Sequence, residues 1–135
     1  VRYRDYTIRE LCQEMHNLYV SFDVKDLQKA MFRKESLPEV VMNPQDANRA
    51  YIRGEVELVR IRDAEGRIAA EGALPYPPGV LCVVPGEVWG GAVQRYFLAL
   101  EEGINLLPGF SPELQGVYSE KDADGIKRLY GYVLK

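Results

Sequence analysis

Apolar residues recur at helical spacing in the first part of the chain. From Ile8 to Phe22 they fall at i, i+3, i+4 and i+7, which is the spacing of a helix with one buried face. The sequence TIRE has the capping-box form, with Thr7 as N-cap and Glu10 three residues later. We therefore predict a first helix that begins after Thr7 and buries one side.

Two further helices are predicted before residue 55. Apolar residues at helical spacing follow Asp23 and stop before Pro38, which indicates a shorter second helix. Asn43 and Pro44 are residue types favoured at the N-cap and at the first helical position, so they open a third helix. Gly54 is its predicted C-cap.

β-branched stretches and turn residues predict strands in the rest of the chain, with one more helix from about Gly90 to Glu102, ended by Gly103. The first two predicted strands form a hairpin around the turn DAEG, and the last two form a hairpin around DADG. The predicted fold is a single α+β domain over residues 1–135, with helices packed on a small, mostly antiparallel sheet. The predicted strands are 55–62, 67–74, Val80 to Val84, 116–120 and 126–135.

Composition excludes several classes of function. The chain has 135 residues, 47% of them hydrophobic and 27% charged, with a net charge of −3, as expected for one globular domain. No basic stripe stands out, so nucleic acids and anionic membranes are poor partners. Cys12 and Cys82 both lie in apolar stretches, which predicts reduced, packed thiols in a reducing compartment, the cytoplasm.

No self-contained active site emerges from residue types and spacing. His16 is the one histidine, and it has no second ligand at helical spacing, so a metal site is not predicted. The sequence after Asp122 lacks the glycine and glutamate of a calcium loop and is interpreted as a turn. Neither cysteine has an evident acid–base partner. We therefore predict no catalytic, cofactor-binding or metal-binding residue in the chain.

The stretch LPYPPGVLCVVPGE, residues 74–87, leaves two interpretations open. In the first, rigid turns flank a buried strand and Glu87 caps the following helix, where a carboxylate is favoured by the helix dipole. In the second, prolines stiffen a loop that forms the wall or rim of a ligand channel. The candidate rim residues are Tyr76, Pro77, Pro78, Gly79, Glu87 and Trp89. For Tyr76 and Trp89 the alternative is packing in the core or at a domain interface.

Several motifs resemble a known family. The stretches PQDANRAYIRGEVELV, PYPPGVLCVVPGE and LLPGFSPELQGVY resemble the C-terminal domain of the bacterial ornithine/lysine/arginine decarboxylases, over nearly the whole chain. The segment LCVVPGEVWGG is most similar to the ornithine-specific members. The resemblance implies a pyridoxal-phosphate (PLP) enzyme of polyamine biosynthesis, which converts ornithine to putrescine and CO2.

The resemblance also implies that the chemistry lies outside this chain. In the family, the lysine that binds PLP follows a histidine, and no lysine follows His16 here. We therefore expect a piece of a longer enzyme whose PLP-binding domain is absent, which binds no PLP and is inactive alone. Its implied role is to shape the active-site entrance, with the catalytic domain of the parent enzyme as partner in a homodimer or higher homo-oligomer.

Two hypotheses follow for the role of individual residues. An acid near the entrance would attract the ammonium group of a diamino acid, with Glu87 the first candidate and Glu71 the second. The alternative function is a regulatory or assembly module that binds an inhibitor protein, an effector or a neighbouring subunit. For that alternative the closing hairpin offers Tyr118, Tyr130 and Tyr132, because tyrosine is enriched at interfaces.

Overall fold

The computed structural model describes residues 5–135 and shows four α-helices, a three-stranded sheet and a two-stranded ribbon. Both sheets are antiparallel, so the predicted α+β class is confirmed. None of the helices within the described residues combines the length and the apolar character needed to cross a bilayer. The helices are α1 (Ile8–Ser21), α2 (Val24–Met31), α3 (Pro44–Ile52) and α4 (Gly91–Leu106). The strands are β1 (Val56–Arg60), β2 (Leu74–Tyr76), β3 (Glu113–Gln115), β4 (Tyr118–Lys121) and β5 (Lys127–Leu134).

The predicted helix starts are confirmed. Thr7 and Glu10 form the complete capping box of α1, with the Thr7 hydroxyl accepting from the Glu10 backbone N–H at 3.2 Å. Asn43 caps α3 by accepting the Gln45 backbone N–H at 2.9 Å, and Pro44 is the first helical residue. These short polar contacts satisfy backbone donors that a helix leaves unpaired at its N-terminus.

The stripe predicted for α1 is only partly buried. Leu18 is its one buried residue, whereas Ile8 and Tyr19 are 81% and 38% exposed. The reason is position: α1 lies at the margin of the described fold and packs mainly on α2. Cys12 is exposed on this helix, so the prediction that it is packed is wrong, while Cys82 is buried as predicted.

The main core lies between α2, α4 and the inner face of the three-stranded sheet. Glu101, only 2% exposed, joins α4 to this sheet because its carboxylate accepts the Leu129 backbone N–H at 2.6 Å. The Arg128 guanidinium lies 3.6 Å from the same carboxylate and offsets its charge. A smaller apolar cluster fills the space between α3 and the outer face of the sheet.

The first predicted hairpin is wrong. Strand β1 pairs with β5, in the register Val56 to Leu134, rather than with residues 67–74. Residues 68–70 bind the opposite edge of β5, since Leu134 donates to the Ile68 carbonyl and Ala70 to the Tyr132 carbonyl. Strand β5 is therefore the central strand, with β1 on one edge and residues 68–70 on the other. The closing hairpin, β4 and β5 around Asp122–Gly125, is confirmed.

Two other elements differ from their prediction. Residues Val80 to Val84 form no strand, and only Val83 makes a β-bridge, to Ala73. Helix α4 continues past Gly103 to Leu106 instead of ending there. Gly103 is needed for close packing, because a Cβ added at this position would lie 2.9 Å from the Phe110 ring and 3.1 Å from the Leu18 side chain.

Candidate functional site

The proline-rich loop, residues 76–81, begins at the end of β2, which pairs with β3 in the two-stranded ribbon. Leu74 and Tyr76 pair with Gln115 and Glu113 at the two ends of the ribbon. A proline fits within β2 because a two-stranded ribbon has free edges that need no N–H donor. Pairing of β2 with β3, which lies almost forty residues later, was not predicted. It gives the loop a rigid base.

The tip of the loop is exposed and tightly turned. Tyr76 is 51% exposed, and Pro77 and Pro78 are exposed beside it. The peptide bonds before both prolines are cis. Gly79 has a φ of +79° and donates its N–H to the Pro75 carbonyl at 3.2 Å, while the Tyr76 ring covers it. The loop therefore presents a tyrosine and two prolines to solvent in one defined shape.

A groove lies between this loop and α2. We call it the α2 groove, and its volume is about 450 Å³. Apolar atoms dominate its wall, and two lysines on successive turns of α2, Lys25 and Lys29, lie at its rim. The residues of its apolar wall are Met31, Phe32, Pro75, Pro78, Val80 and Cys82.

Glu87 closes a turn of its own segment and does not cap α4. Its carboxylate is half-buried and accepts the Val84 backbone N–H at 2.7 Å, while its own N–H donates to the Val84 carbonyl at 3.0 Å. The N-cap of α4 is Gly90, which has no capping side chain. The interpretation of Glu87 as a helix cap is therefore wrong.

Trp89 belongs to the core. It is 2% exposed, and its ring meets the Phe97 ring edge-on at 5.5 Å between centroids. Its backbone N–H donates to the Arg67 carbonyl at 2.8 Å, which fixes the segment before α4. The structure thus separates Trp89 from the exposed loop tip, and packing accounts for its position.

Glu71, the second candidate acid, lies in a cluster of tyrosines on the sheet. Its carboxylate accepts the Tyr118 hydroxyl at 2.9 Å. Partial burial, and then this hydrogen bond to a carboxylate, raise the pKa of Tyr118 to about 12. Tyr132 stacks edge-on against both Tyr118 and Tyr51, at 5.6 and 5.4 Å between ring centroids. Sequence reasoning grouped two of these tyrosines but did not place Glu71 or Tyr51 beside them.

No lysine among residues 5–135 is fully buried. A Schiff-base lysine must be desolvated and positioned within a site, but five of the six lysines are exposed and Lys127 is half-buried. His16 is exposed on α1, with no lysine after it in the sequence. Within residues 5–135, no three histidine, cysteine or acidic side chains are grouped as a metal site requires.

The two thiols are expected to differ in reactivity. Burial raises the pKa of the Cys82 thiol to about 11, whereas Cys12 is exposed. Because the thiolate is the nucleophile, we expect one fast-reacting thiol per chain at pH 8 when the native protein is treated with a thiol reagent. The fast phase should disappear in Cys12→Ser, and the Cys82 reaction should rise steeply only toward pH 11 or after unfolding. Two equally fast thiols at pH 8 would show that Cys82 is not buried.

The α2 groove is the feature that sequence reasoning missed. The sequence pattern of α2 identifies its inward residues, but it does not connect its two lysines with the proline-rich loop. A signal was present, because Lys25 and Lys29 are four residues apart and share one helix face. Their approach to Pro78 and Val80 depends on tertiary packing, which the local pattern does not contain.

Comparison with known proteins shows the family of this chain. Residues 25–135 match the family described as Orn/Lys/Arg decarboxylase, C-terminal domain. The chain is 90% identical over its full length to 19% of the constitutive ornithine decarboxylase of Escherichia coli (strain K12). It is 35% identical, over 94% of its length, to 18% of the constitutive lysine decarboxylase of the same organism.

A solved structure agrees with these matches. Lysine decarboxylase A from Pseudomonas aeruginosa superposes with a TM-score of 0.86 at 33% identity, covering all of this chain and 18% of that one. The chain thus spans about one fifth of the length of the relatives it matches. On the family match over residues 25–135 and these identities, the chain belongs to the C-terminal domain family of the Orn/Lys/Arg decarboxylases.

Proposed function

We propose that this chain is the C-terminal accessory domain of a PLP-dependent ornithine decarboxylase, which converts L-ornithine to putrescine and CO2 in the cytoplasm. The observation that supports the substrate is the difference in identity, 90% to an ornithine decarboxylase against 35% to a lysine decarboxylase. In this proposal the chemistry is carried out by residues of the parent enzyme that lie outside residues 1–135. The partner is the catalytic part of the parent enzyme, within a homodimer or higher homo-oligomer.

The proposed role of the domain is to frame the entrance to the active site with the loop of Tyr76 to Gly79. Two features support this role: the loop tip is exposed, and the β2–β3 ribbon holds it in a fixed position. A preformed wall lowers the entropic cost of positioning the substrate. The buried Trp89 is not retained among the proposed rim residues, since it reaches no exposed surface of the loop.

Replacing the exposed tyrosine tests this role. In the full-length enzyme, we expect Tyr76→Ala to raise the KM for ornithine by about three- to tenfold, because an apolar contact with the hydrocarbon part of the substrate is lost. Since the ring is half exposed, thermal stability should hardly change. Tyr76→Phe is the control and should keep the wild-type KM. An unchanged KM in Tyr76→Ala would remove the loop from the substrate's path.

Electrostatic attraction of the diamino acid to Glu87, or to Glu71 as the second candidate, stays a prediction. Each carboxylate has a local hydrogen-bond partner, but its charge still contributes to the field at the surface. In the full-length enzyme, Glu87→Gln should lower kcat/KM at low salt, and the difference should vanish as salt rises. An equal kcat/KM at low salt would assign Glu87 to turn closure alone.

An alternative function rests on the outer face of the three-stranded sheet. Leu58 and Tyr118 are 38% and 40% exposed there, beside Tyr132. Such a face suits a regulatory or assembly module that binds an effector, an inhibitor protein or another subunit. Under this alternative, Tyr118→Ala would abolish binding of a third protein without changing ornithine turnover. Under the accessory-domain proposal, turnover in the full-length enzyme depends on the Tyr76 loop instead.

A further inference from the structure

The α2 groove has the chemistry of a docking site. Its wall is apolar, and large side chains around it are open to solvent: Phe32 is 53% exposed and Val80 49%. Leu81, which is 47% exposed, continues the exposed apolar surface beyond Val80. A domain that exposes several large apolar side chains around a concave site generally covers them with a partner.

The rim of the groove is cationic. Lys25 and Lys29 lie on the same face of α2, and both line the groove. Lys29 has one acidic neighbour, Asp26, at 4.0 Å, with both side chains more than half exposed, so this pair neutralises little of the charge. A partner that fits the site therefore carries an apolar side chain for the wall and a carboxylate for the rim.

The length of the relatives indicates which molecule that partner is. This chain corresponds to 18–19% of the relatives it matches, so more than four-fifths of their length lies outside it. A segment of the same polypeptide is present at a high effective concentration, which favours it over a freely diffusing partner. The groove is too small to be an interface by itself, so it forms one part of a larger contact.

We propose that the α2 groove receives an apolar segment of the parent polypeptide from outside residues 1–135, with an aspartate or glutamate of that segment against Lys25 or Lys29. The inference rests on the proposed function, because it takes the rest of the parent enzyme as the partner. In this proposal the two sides of the proline-rich loop contact different partners. The tip at Tyr76 faces the substrate entrance, and the side with Pro78 and Val80 faces the docked segment.

Zero-length cross-linking of the full-length enzyme identifies the occupant. A carbodiimide joins a lysine directly to a carboxylate in contact with it, and mass spectrometry locates the two residues. We expect cross-links from Lys25 or Lys29 to an aspartate or glutamate outside residues 1–135. Cross-links from these lysines only to residues within 1–135, such as Asp26 or residues of a second copy of this domain, would overturn the proposal.

Radical footprinting of the same enzyme tests whether the groove is covered. Oxidation of Phe32 should be clearly slower than expected for a ring that is 53% exposed in this domain, because the docked segment covers it. The double variant Lys25→Glu/Lys29→Glu should restore Phe32 oxidation, and the matched variant Lys121→Glu/Lys135→Glu should not. Phe32 oxidised at the rate of an exposed ring in the wild type, or insensitivity to the first variant, would contradict the proposal.

The cross-linking and footprinting results do not depend on which substrate the enzyme uses. If the full-length enzyme fails to decarboxylate ornithine, the proposed function is wrong, but the cross-links and the Phe32 protection still decide whether a segment occupies the α2 groove. If the enzyme is active and Lys25 and Lys29 show no cross-link outside the domain, the docking inference alone is wrong. Protection that appears only at high enzyme concentration would assign the groove to a contact between copies and would also overturn the inference.

Discussion

Trp89→Ala should lower the free energy of unfolding of the 135-residue domain by about 3–5 kcal/mol, the range for removing a large aromatic side chain from a core. The ring is 2% exposed and packs edge-on against Phe97, so its removal leaves a cavity next to α4. It also lies close to Gly131 of the central strand, which has no side chain to fill that space. Urea unfolding followed by circular dichroism measures the change.

Trp89→Phe is the control for this prediction. The indole N–H of Trp89 is buried and has no hydrogen-bond partner among residues 5–135, so phenylalanine removes an unpaired donor while keeping an aromatic ring. We expect its loss of stability to be well below that of the alanine variant. In the full-length enzyme, the KM of Trp89→Phe for ornithine should equal that of the wild type. An altered KM with unchanged stability would place Trp89 at the substrate entrance, against the structure.

Gly116→Ala should reduce the free energy of unfolding by about 4 kcal/mol or more, which is a large part of the stability of a small domain. Gly116 joins β3 to β4 with a φ of +70°, and a Cβ there would lie 2.0 Å from the Gly72 carbonyl oxygen. Because the contact is with backbone, no side-chain rotation relieves it. The added methyl would push the β2–β3 ribbon away from the sheet and displace the proline-rich loop with it.

Gly125→Ala is the control that separates the cost of a positive φ from the cost of the steric contact at Gly116. Gly125 has nearly the same φ, +78°, but an added Cβ would meet no atom within 4 Å. Its loss of stability should therefore be only the conformational term, about 1–2 kcal/mol. Equal losses at the two positions, measured by urea unfolding, would show that the approach of Gly116 to Gly72 is not tight.

The sequence pattern predicts those helix starts and turns whose stabilising contacts lie within a few residues of one another. The capping box at Thr7, the Asn43–Pro44 helix start and the turn at Asp124–Gly125 each depend on contacts within a few residues. Pairing over long sequence distances was not predictable in this way. Residues 67–74 have the composition of a hairpin partner for β1. In the structure, however, β5 lies between them, and it pairs with β1 on one edge and with residues 68–70 on the other.

The candidate site shows the same division. Stiffness of residues 76–79 follows directly from their prolines, and the structure shows the loop tip exposed. The groove behind it is lined by residues of α2, by Pro75 of β2 and by Tyr96 of α4, which approach one another only in the folded chain. Trp89 follows the loop closely in sequence, which favours a place at the rim, yet it lies in the core after the turn of residues 84–87.

The central claim is that this domain frames a reaction whose catalytic residues lie elsewhere in the parent enzyme. The most direct test is CO2 release from labelled ornithine with added PLP, measured side by side for the purified 135-residue domain and the full-length enzyme. We expect release by the full-length enzyme only, with the isolated domain colourless and inactive. Turnover by the 135 residues alone would contradict the account.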